Sequence, residues 1–355
     1  MDVRDDDPGT DSHRLAPLTT LRLGGPAREI VRADDEQQIT HIVRATDRSH
    51  GNLLVLAGGS NVVIGDDGFD GTALVLATAG ASAARDGEDV LVTVAAGEPW
   101  DAFVARAIAE KWSGVESLSG VPGSAGATPI QNVGAYGQEI AERVVSVRVL
   151  DRRTGEVVVM SAAECGFGYR TSIFKHATRW IVLSVTLRLA ISPRSAPIRY
   201  AELAGRLGVS VGERADTTDV RESVLDLRRG KGMVLDPADP DTYSVGSFFT
   251  NPVLTAGDYA ALIERAGDGE RVAAWPEPDG GAKISAAWLI QHTGFPKGYA
   301  HGNVAISGKH TLALTNRGDG TTAELLDLAR EIRAGVHVRF GVMLRPEPVL
   351  INCAL

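Results

Sequence analysis

Leu53-Leu54-Val55-Leu56-Ala57-Gly58-Gly59-Ser60-Asn61-Val62-Val63-Ile64 sets two short apolar runs on either side of a tight turn. Such runs bounded by glycine read as strands, so the stretch predicts strand, loop, strand. The turn offers closely spaced backbone N–H groups and two short hydrogen-bonding side chains, which can hold a pyrophosphate without a formal cation. The same glycines also suit a plain hairpin between buried strands, and the stretch alone leaves both readings open. Two other nucleotide sites fail on the residues beyond Asn61. A strand pattern succeeds the glycines where the dinucleotide fingerprint needs a helix N-terminus, and no Gly-Lys-Ser/Thr completes a P-loop.

Outward from this stretch, strand-like runs recur at 73–77, 90–95, 144–150, 157–160 and 181–189, with turn clusters such as Asp66-Asp67-Gly68 between them. Residues 99–112 instead place Trp100, Phe103, Val104, Ala107 and Ile108 at helical spacing, giving one face that can pack on a sheet. The class is therefore α+β, with a mixed sheet. After Ser192 the texture changes, and a domain boundary is expected near 200–230. A helix is predicted over 219–229, with Val220, Val224 and Leu227 as its stripe and Asp219-x-x-Glu222 as its opening box. Three further helices are predicted at 256–266, 284–292 and 322–336, before a closing extended run at 342–351. Residues 1–14 are acidic and aperiodic and read as a tail.

A chain of 355 residues with 44% hydrophobic and 23% charged residues predicts two or three globular domains. Its formal charge of −9 argues against a broad nucleic-acid surface, which needs excess Lys and Arg. Cys165 and Cys353 lack CxxC or Cys/His spacing, which predicts incidental thiols in a reducing compartment. The start of the chain lacks a basic region followed by an apolar one, and no apolar run reaches membrane-spanning length. The expectation is a cytoplasmic protein with no membrane partner. The eight histidines form no His-Glu-x-x-His and no close pair, so no metal site is predicted.

Four more segments can carry chemistry. Residues 114–137 hold Gly114, Gly120, Gly123, Gly126, Gly134 and Gly137 with Pro122 and Pro129. So long a connection in a compact domain is usually functional, and Ile130, Gln131, Asn132 and Tyr136 are not a solvating composition. Bare backbone can lie against a large planar ligand while Gln131 and Asn132 read its edge; a surface Ω-loop is the bland alternative. Next, Gly168-Tyr169-Arg170-Thr171-Ser172-Ile173-Phe174-Lys175 mixes cations and hydroxyls with apolar residues, as a pocket wall does. Its Ser172-x-x-Lys175 matches a serine-transferase pattern, but no Ser-Asp-Asn element accompanies it. Then comes Ser244-Val245-Gly246-Ser247-Phe248-Phe249-Thr250-Asn251-Pro252, which alone reads as well as a strand end whose Ser247 bonds backbone. Last, Arg345-Pro346-Glu347-Pro348 restrains the chain on both sides of one carboxylate, or is an edge strand.

In this order, Leu18-Thr19-Thr20, the Ala57 to Asn61 turn, Ile130-Gln131-Asn132-Val133-Gly134-Ala135-Tyr136-Gly137, Tyr169 to Lys175, Gly246 to Pro252 and Pro346-Glu347 resemble the UDP-N-acetylenolpyruvoylglucosamine reductase family over nearly the whole chain. Pro197-Ile198-Arg199-Tyr200 with Tyr169-Arg170 resembles its longer form, which keeps an extra Tyr loop over the substrate. The resemblance implies an FAD-binding fold of the vanillyl-alcohol-oxidase (PCMH) type in two subdomains, 15–76 and 77–225. A C-terminal α+β substrate domain at 226–355 would follow, its last strand able to return to the flavin domain.

The implied activity is reduction of UDP-N-acetylenolpyruvoylglucosamine to UDP-N-acetylmuramate for peptidoglycan, with FAD bound non-covalently and NADPH as hydride donor. Residues Ala57, Gly58, Gly59, Ser60 and Asn61 would hold the pyrophosphate; Gly123, Gly126, Pro129, Gln131, Asn132, Gly134, Ala135 and Tyr136 would line the flavin. Arg170 would grip the reacting carboxylate, Glu347 help polarise it, and Ser247 give the proton. Tyr200, Lys231, Asn251 and Lys283 would serve the UDP-sugar. Ala57, Thr250 and Pro348 depart from the residues common in the family. Another FAD oxidoreductase of this fold, or a UDP-sugar-binding protein without catalysis, are the competing readings.

Overall fold

Strands Ala27–Ala33, Leu53–Leu56 and Phe69–Leu76 form a three-stranded parallel sheet with the last of them in the middle. Helix Glu36–Arg48 carries the chain from one edge strand, Ala27–Ala33, to the other, Leu53–Leu56, as a parallel arrangement requires. Asp35 caps that helix by accepting from Gln38 N–H at 2.8 Å, and Ile39 and Val43 are its buried face. The computed structural model describes residues 13–267 and 269–355. The expected tail therefore lies, as far as residue 12, outside the described residues. Its last position is not tail: Arg14 bridges Pro26 and the next residue, Leu15, is fully buried.

The chain forms two compact units. The first holds residues 27–59 and 69–234, including the parallel sheet. Its second sheet is antiparallel, in the order Glu156–Ser161, Val144–Asp151, Trp180–Ile191, Asp89–Ala95, Ala81–Asp86. Alternation in Asp89–Ala95 buries Val90, Val92 and Val94, and helix Trp100–Ala109 buries Trp100, Phe103, Val104, Ala107 and Ile108 in the same core. A smaller core of Ile198, Leu203, Ala204, Ala215, Val220 and Val224 closes an excursion over 193–230. The helix predicted to open at Asp219 opens one half-turn earlier. It spans Thr217–Gly230, because Asp216 accepts from Thr218 N–H and so caps it there.

The second unit holds residues 14–26, 60–68 and 235–355. Its core is built on helix Thr322–Phe340, which buries Leu325, Leu328, Ala329, Ile332, Val336 and Phe340. Thr321 and Glu324 form a capping box at its start, and both carboxylate oxygens of Asp66 accept from Thr322 and Ala323 N–H. Leu21 and Leu23 are buried in this core, and Thr20 Oγ1 donates to Ser244 O at 2.7 Å.

Several expectations change here. The two runs flanking the Gly58-Gly59 turn do not form a hairpin: Leu53–Leu56 pairs with Phe69–Leu76, whereas Val62–Ile64 pairs in parallel with Val349–Ile351. The closing run is strand only at Val349–Ile351, within the second unit, with a single bridge earlier between Phe249 and Pro346. Pro346 and Pro348 lack the N–H groups that a continuous ladder would need. The helix Thr217–Gly230 also runs through the expected boundary at residue 226, and the units divide at 234/235 instead.

Candidate active site

Within the first unit the glycine turn lies against the glycine-rich loop. A Cβ on Gly58 would sit 2.5 Å from Gly123 Cα, so two stretches of backbone touch where neither carries a side chain. Gly59 and Gly123 take left-handed φ values of 55° and 111°, which β-carbons disfavour. Gly126 N–H donates to Ala96 O at 2.9 Å, and a Cβ there would meet Ala96 Cβ at 2.5 Å. The loop is thereby seated on the end of strand Asp89–Ala95. Pro129 is buried behind it, and Ala57 is half-buried at the mouth of the turn.

Asn132 turns the loop back. Its Nδ2 donates to Glu139 Oε2 at 2.8 Å and to Gly168 O at 3.1 Å, while its Oδ1 accepts from Ala141 N–H at 3.1 Å. It is buried and its carboxamide organises the loop; neighbouring Gln131 is half-buried. Strand pair Gly134–Ala135 and Gln138–Glu139 comes next. Gly134 O accepts from Arg170 Nη2 at 2.8 Å, which brings Arg170 beside the loop. Asn132, Tyr136 and Arg170 all carry left-handed φ, at 48°, 47° and 54°. A bulky residue held there costs about 1–3 kcal/mol, a strain that clusters at functional sites. The serine-transferase alternative finds no support: Ser172 Oγ donates to Ile130 O at 2.7 Å and Lys175 Nζ to Arg170 O at 3.0 Å.

Tyr136 and Tyr200 meet edge to face with centroids 5.4 Å apart, and Lys231 Nζ lies 5.7 Å from the Tyr136 ring. Burial pushes the Tyr136 phenol up, against the pull of Lys231 and Arg228. Burial opposes the Lys231 ammonium, but its 2.7 Å bond to Glu202 and the Tyr136 phenol outweigh that and leave its pKa raised. Lys231 thus stays cationic at neutral pH. Glu202, its counter-ion, has no motif to announce it. Burial holds the Cys165 thiol up at about 11, which makes it a poor nucleophile.

Within the second unit the structure brings Ser247 and Glu347 together. Phe249 bridges Pro346, Glu347 N–H donates to Phe248 O at 2.8 Å, and Thr250 N–H donates to Arg345 O at 3.1 Å. The two segments therefore run antiparallel side by side. Gly246, at φ 75°, makes the turn into Ser247. Ser60 and Asn61, the far half of the glycine turn, belong to this unit, and Asn61 O accepts from Val349 N–H at 3.0 Å, two residues past Glu347. Asn251 Oδ1 accepts from Ala286 N–H at 2.9 Å at the start of helix Ala286–Gln291, so its carbonyl end is a cap. Lys283 lies between Val253 and Trp275 in a three-stranded sheet, its Nζ 5.8 Å from the indole centroid. Among the described residues no group of three His, Cys, Asp or Glu could hold a metal ion.

Comparison with known proteins agrees across both units. An FAD binding domain family matches residues 27–161, and the UDP-N-acetylenolpyruvoylglucosamine reductase C-terminal domain family matches residues 237–351. The UDP-N-acetylenolpyruvoylglucosamine reductase of Salinispora arenicola (strain CNS-205) is 56% identical over 352 residues, covering 98% of this chain and 97% of that one. The reductase of Thermobifida fusca (strain YX) is also 56% identical, over 346 residues, with 96% and 97% covered. The crystal structure of the reductase from Thermus caldophilus matches with a TM-score of 0.63 at 22% identity, over 96% of this chain and 97% of that one, a likeness of fold. The chain therefore belongs to the UDP-N-acetylenolpyruvoylglucosamine reductase family, FAD-dependent oxidoreductases of peptidoglycan precursor synthesis.

Proposed function

We propose that the chain reduces UDP-N-acetylenolpyruvoylglucosamine with NADPH, and that Ser247, Glu347 and Arg170 are its catalytic residues. The observation that carries the proposal is the pairing of the Ser247 and Glu347 segments through Glu347 N–H and Phe248 O. The residues present fit FAD. The cradle is bare backbone: a Cβ would meet a neighbour at 2.5 Å on Gly58 and on Gly126, and Gly59 and Gly123 hold left-handed φ, which suits a pyrophosphate site without a formal cation. Bound FAD would supply hydride exchange between the nicotinamide and the enolpyruvyl group.

The chain's own residues do the rest. Hydride addition to an enolpyruvyl carbon leaves charge spread toward the carboxylate, and the neighbouring carbon must then gain a proton. Arg170 would fork onto a carboxylate, with its guanidinium set by the bond to Gly134 O. Ser247 Oγ would hold and give the proton. Glu347, on the adjoining segment, would polarise the carboxylate. Lys231 and Tyr200 would meet the UDP portion, a compact cation for phosphate beside an aromatic edge. The two free thiols suit a cytoplasmic location, which we infer for the enzyme.

Replacing Ser247 with Ala tests this directly, because only one half-reaction needs a proton at carbon. Flavin binding and bleaching by NADPH should persist in S247A. Reoxidation by the UDP-sugar, followed by stopped-flow absorbance, should slow by about 10²–10⁴-fold. Equal loss in both phases, or in neither, would remove Ser247 from the role of proton donor.

A further inference from the structure

Glu116 is fully buried in the first unit, and its carboxylate accepts from three separate segments. Gly114 N–H donates at 2.5 Å, Ala196 N–H at 2.6 Å and Gln138 Nε2 at 3.1 Å. Gln138 Oε1 in turn accepts from Ser117 N–H at 2.9 Å. A buried carboxylate is tolerable only when its oxygens are satisfied in this way, and breaking one such bond strands a charge. Gly114 and Gln138 stand at the two ends of the glycine-rich loop. Ala196 opens the run that leads to Tyr200.

That run is laddered on its other side to 212–215. Ser195 N–H donates to Ala215 O at 2.8 Å, Ile198 N–H to Glu213 O at 2.8 Å, and Gly212 N–H to Ile198 O at 2.7 Å. A second meeting lies at the far end of the loop. A Cβ on Gly137 would sit 2.8 Å from Arg199 Cβ, beside the Tyr136 and Tyr200 rings. The loop and the Tyr200 segment are thus joined twice, by a polar bond at Ala196 and by packing at Arg199 and Tyr200. Of these, only the Glu116 bond also closes the loop on itself.

We propose that Glu116 is a positioning residue that couples the two segments, so that filling the flavin loop fixes the segment carrying Tyr200 and raises affinity for the UDP group. The proposal rests on the reading of 114–138 as the flavin loop. Coupling of this kind is reciprocal: UDP should tighten FAD by the same factor that FAD tightens UDP, typically about 5-fold or more.

Hydrogen exchange by mass spectrometry on the full chain, with and without FAD, separates the two ideas. In the native chain FAD should protect amides in 114–138 and also in 195–213, and should tighten UDP binding measured by calorimetry about 5-fold or more. In Glu116→Gln, one acceptor oxygen becomes an amide group facing an N–H donor. Whether that amide faces Gly114 N–H or Ala196 N–H, one leg of the link is broken, so the protection of 195–213 by FAD and the tightening of UDP should fall away. Glu116→Asp, which keeps both oxygens on a shorter stem, should restore part of the coupling. Protection of 114–138 without change at 195–213 in the native chain would overturn the proposal and leave the flavin loop standing. No protection at 114–138 would overturn both. If Glu116→Gln does not fold, the native-chain exchange and calorimetry still decide. A folded variant that retains full coupling also refutes it.

Discussion

Replacing Gly58 with Ala places a methyl group into the backbone crossing with Gly123, where the flavin cradle is proposed. The added Cβ would lie 2.5 Å from Gly123 Cα and 3.0 Å from Gly123 C, where ordinary contacts begin at 3.4 Å. The two loops must part by about 1 Å. Overpacking of this kind costs about 1–3 kcal/mol. Without FAD the loops can separate to relieve it, so most of the cost should appear when the cofactor draws them together. The dissociation constant for FAD should rise by roughly 5- to 150-fold. Titration of stripped protein followed by flavin fluorescence measures this, and the FAD-dependent gain in melting temperature should shrink in step. Gly205→Ala is the control: it lies in helix Ala201–Leu207 with nothing within 4 Å of an added Cβ. It should leave FAD affinity unchanged and stabilise by about 0.5–1 kcal/mol. An FAD affinity for Gly58→Ala within twofold of native would refute the assignment of this crossing to the cofactor.

Charged groups give two other outcomes. Arg170→Lys keeps the charge but loses the planar fork and the bond to Gly134 O. Loss of one charge-assisted bond, about 1.5–3 kcal/mol, predicts a fall of roughly 10- to 150-fold in kcat/KM for the UDP-sugar with FAD retained; a change under threefold would exclude the grip. Asp151 is held at about 2, below the usual carboxylate range, because Arg179 forks onto it at 2.6 and 2.9 Å. A lowered folded value means the pair stabilises above the ordinary pKa near 3.8 and is lost as pH falls from there toward about 2. Thermal melts across that window should steepen in the native chain and flatten in Asp151→Asn, and identical slopes would refute the linkage.

What can be read without coordinates is local. The buried alternation of Asp89–Ala95 and the apolar stripe of Trp100–Ala109 announce themselves because their periods, two and 3.6, are printed in the residues. Helix Ala256–Ala266 is legible to its ends, with Thr255 as cap and Gly267 beyond. Helix Glu36–Arg48 is not, since only Ile39, Val43 and Thr46 are buried among thirteen mostly polar residues. Parallel pairing is also hidden. Nothing in Val62-Val63-Ile64 says that its partner lies at Val349–Ile351, so the adjacent run looks like the natural mate. At the candidate site, the order of motifs carries Ser247 and Glu347, and the structure adds their adjacency. The loop bonds of Asn132 are hidden too, because a carboxamide in the sequence carries no sign of the Glu139, Gly168 and Ala141 partners that the structure gives it. Glu116 is invisible for the same reason: one carboxylate among Val115, Ser117 and Leu118 carries no sign of the three donors that meet it.

The strand Val62–Ile64 and its partner impose an order on biosynthesis. Asn352 Nδ2 reaches Gly68 O across 284 positions of chain, and Asp66 waits for the start of a helix 256 positions later. At about 5–20 residues per second, a ribosome needs roughly fifteen to sixty seconds to deliver those partners. Residues 27–59 and 69–234 meanwhile have their whole complement of internal partners well before synthesis ends. Leu21, Leu23 and Val63, all destined for the second core, must stay unburied through that interval. The nascent chain is therefore exposed to aggregation at these segments, and loss of Val349–Ile351 would leave Val62–Ile64 an open edge however well the first unit had folded.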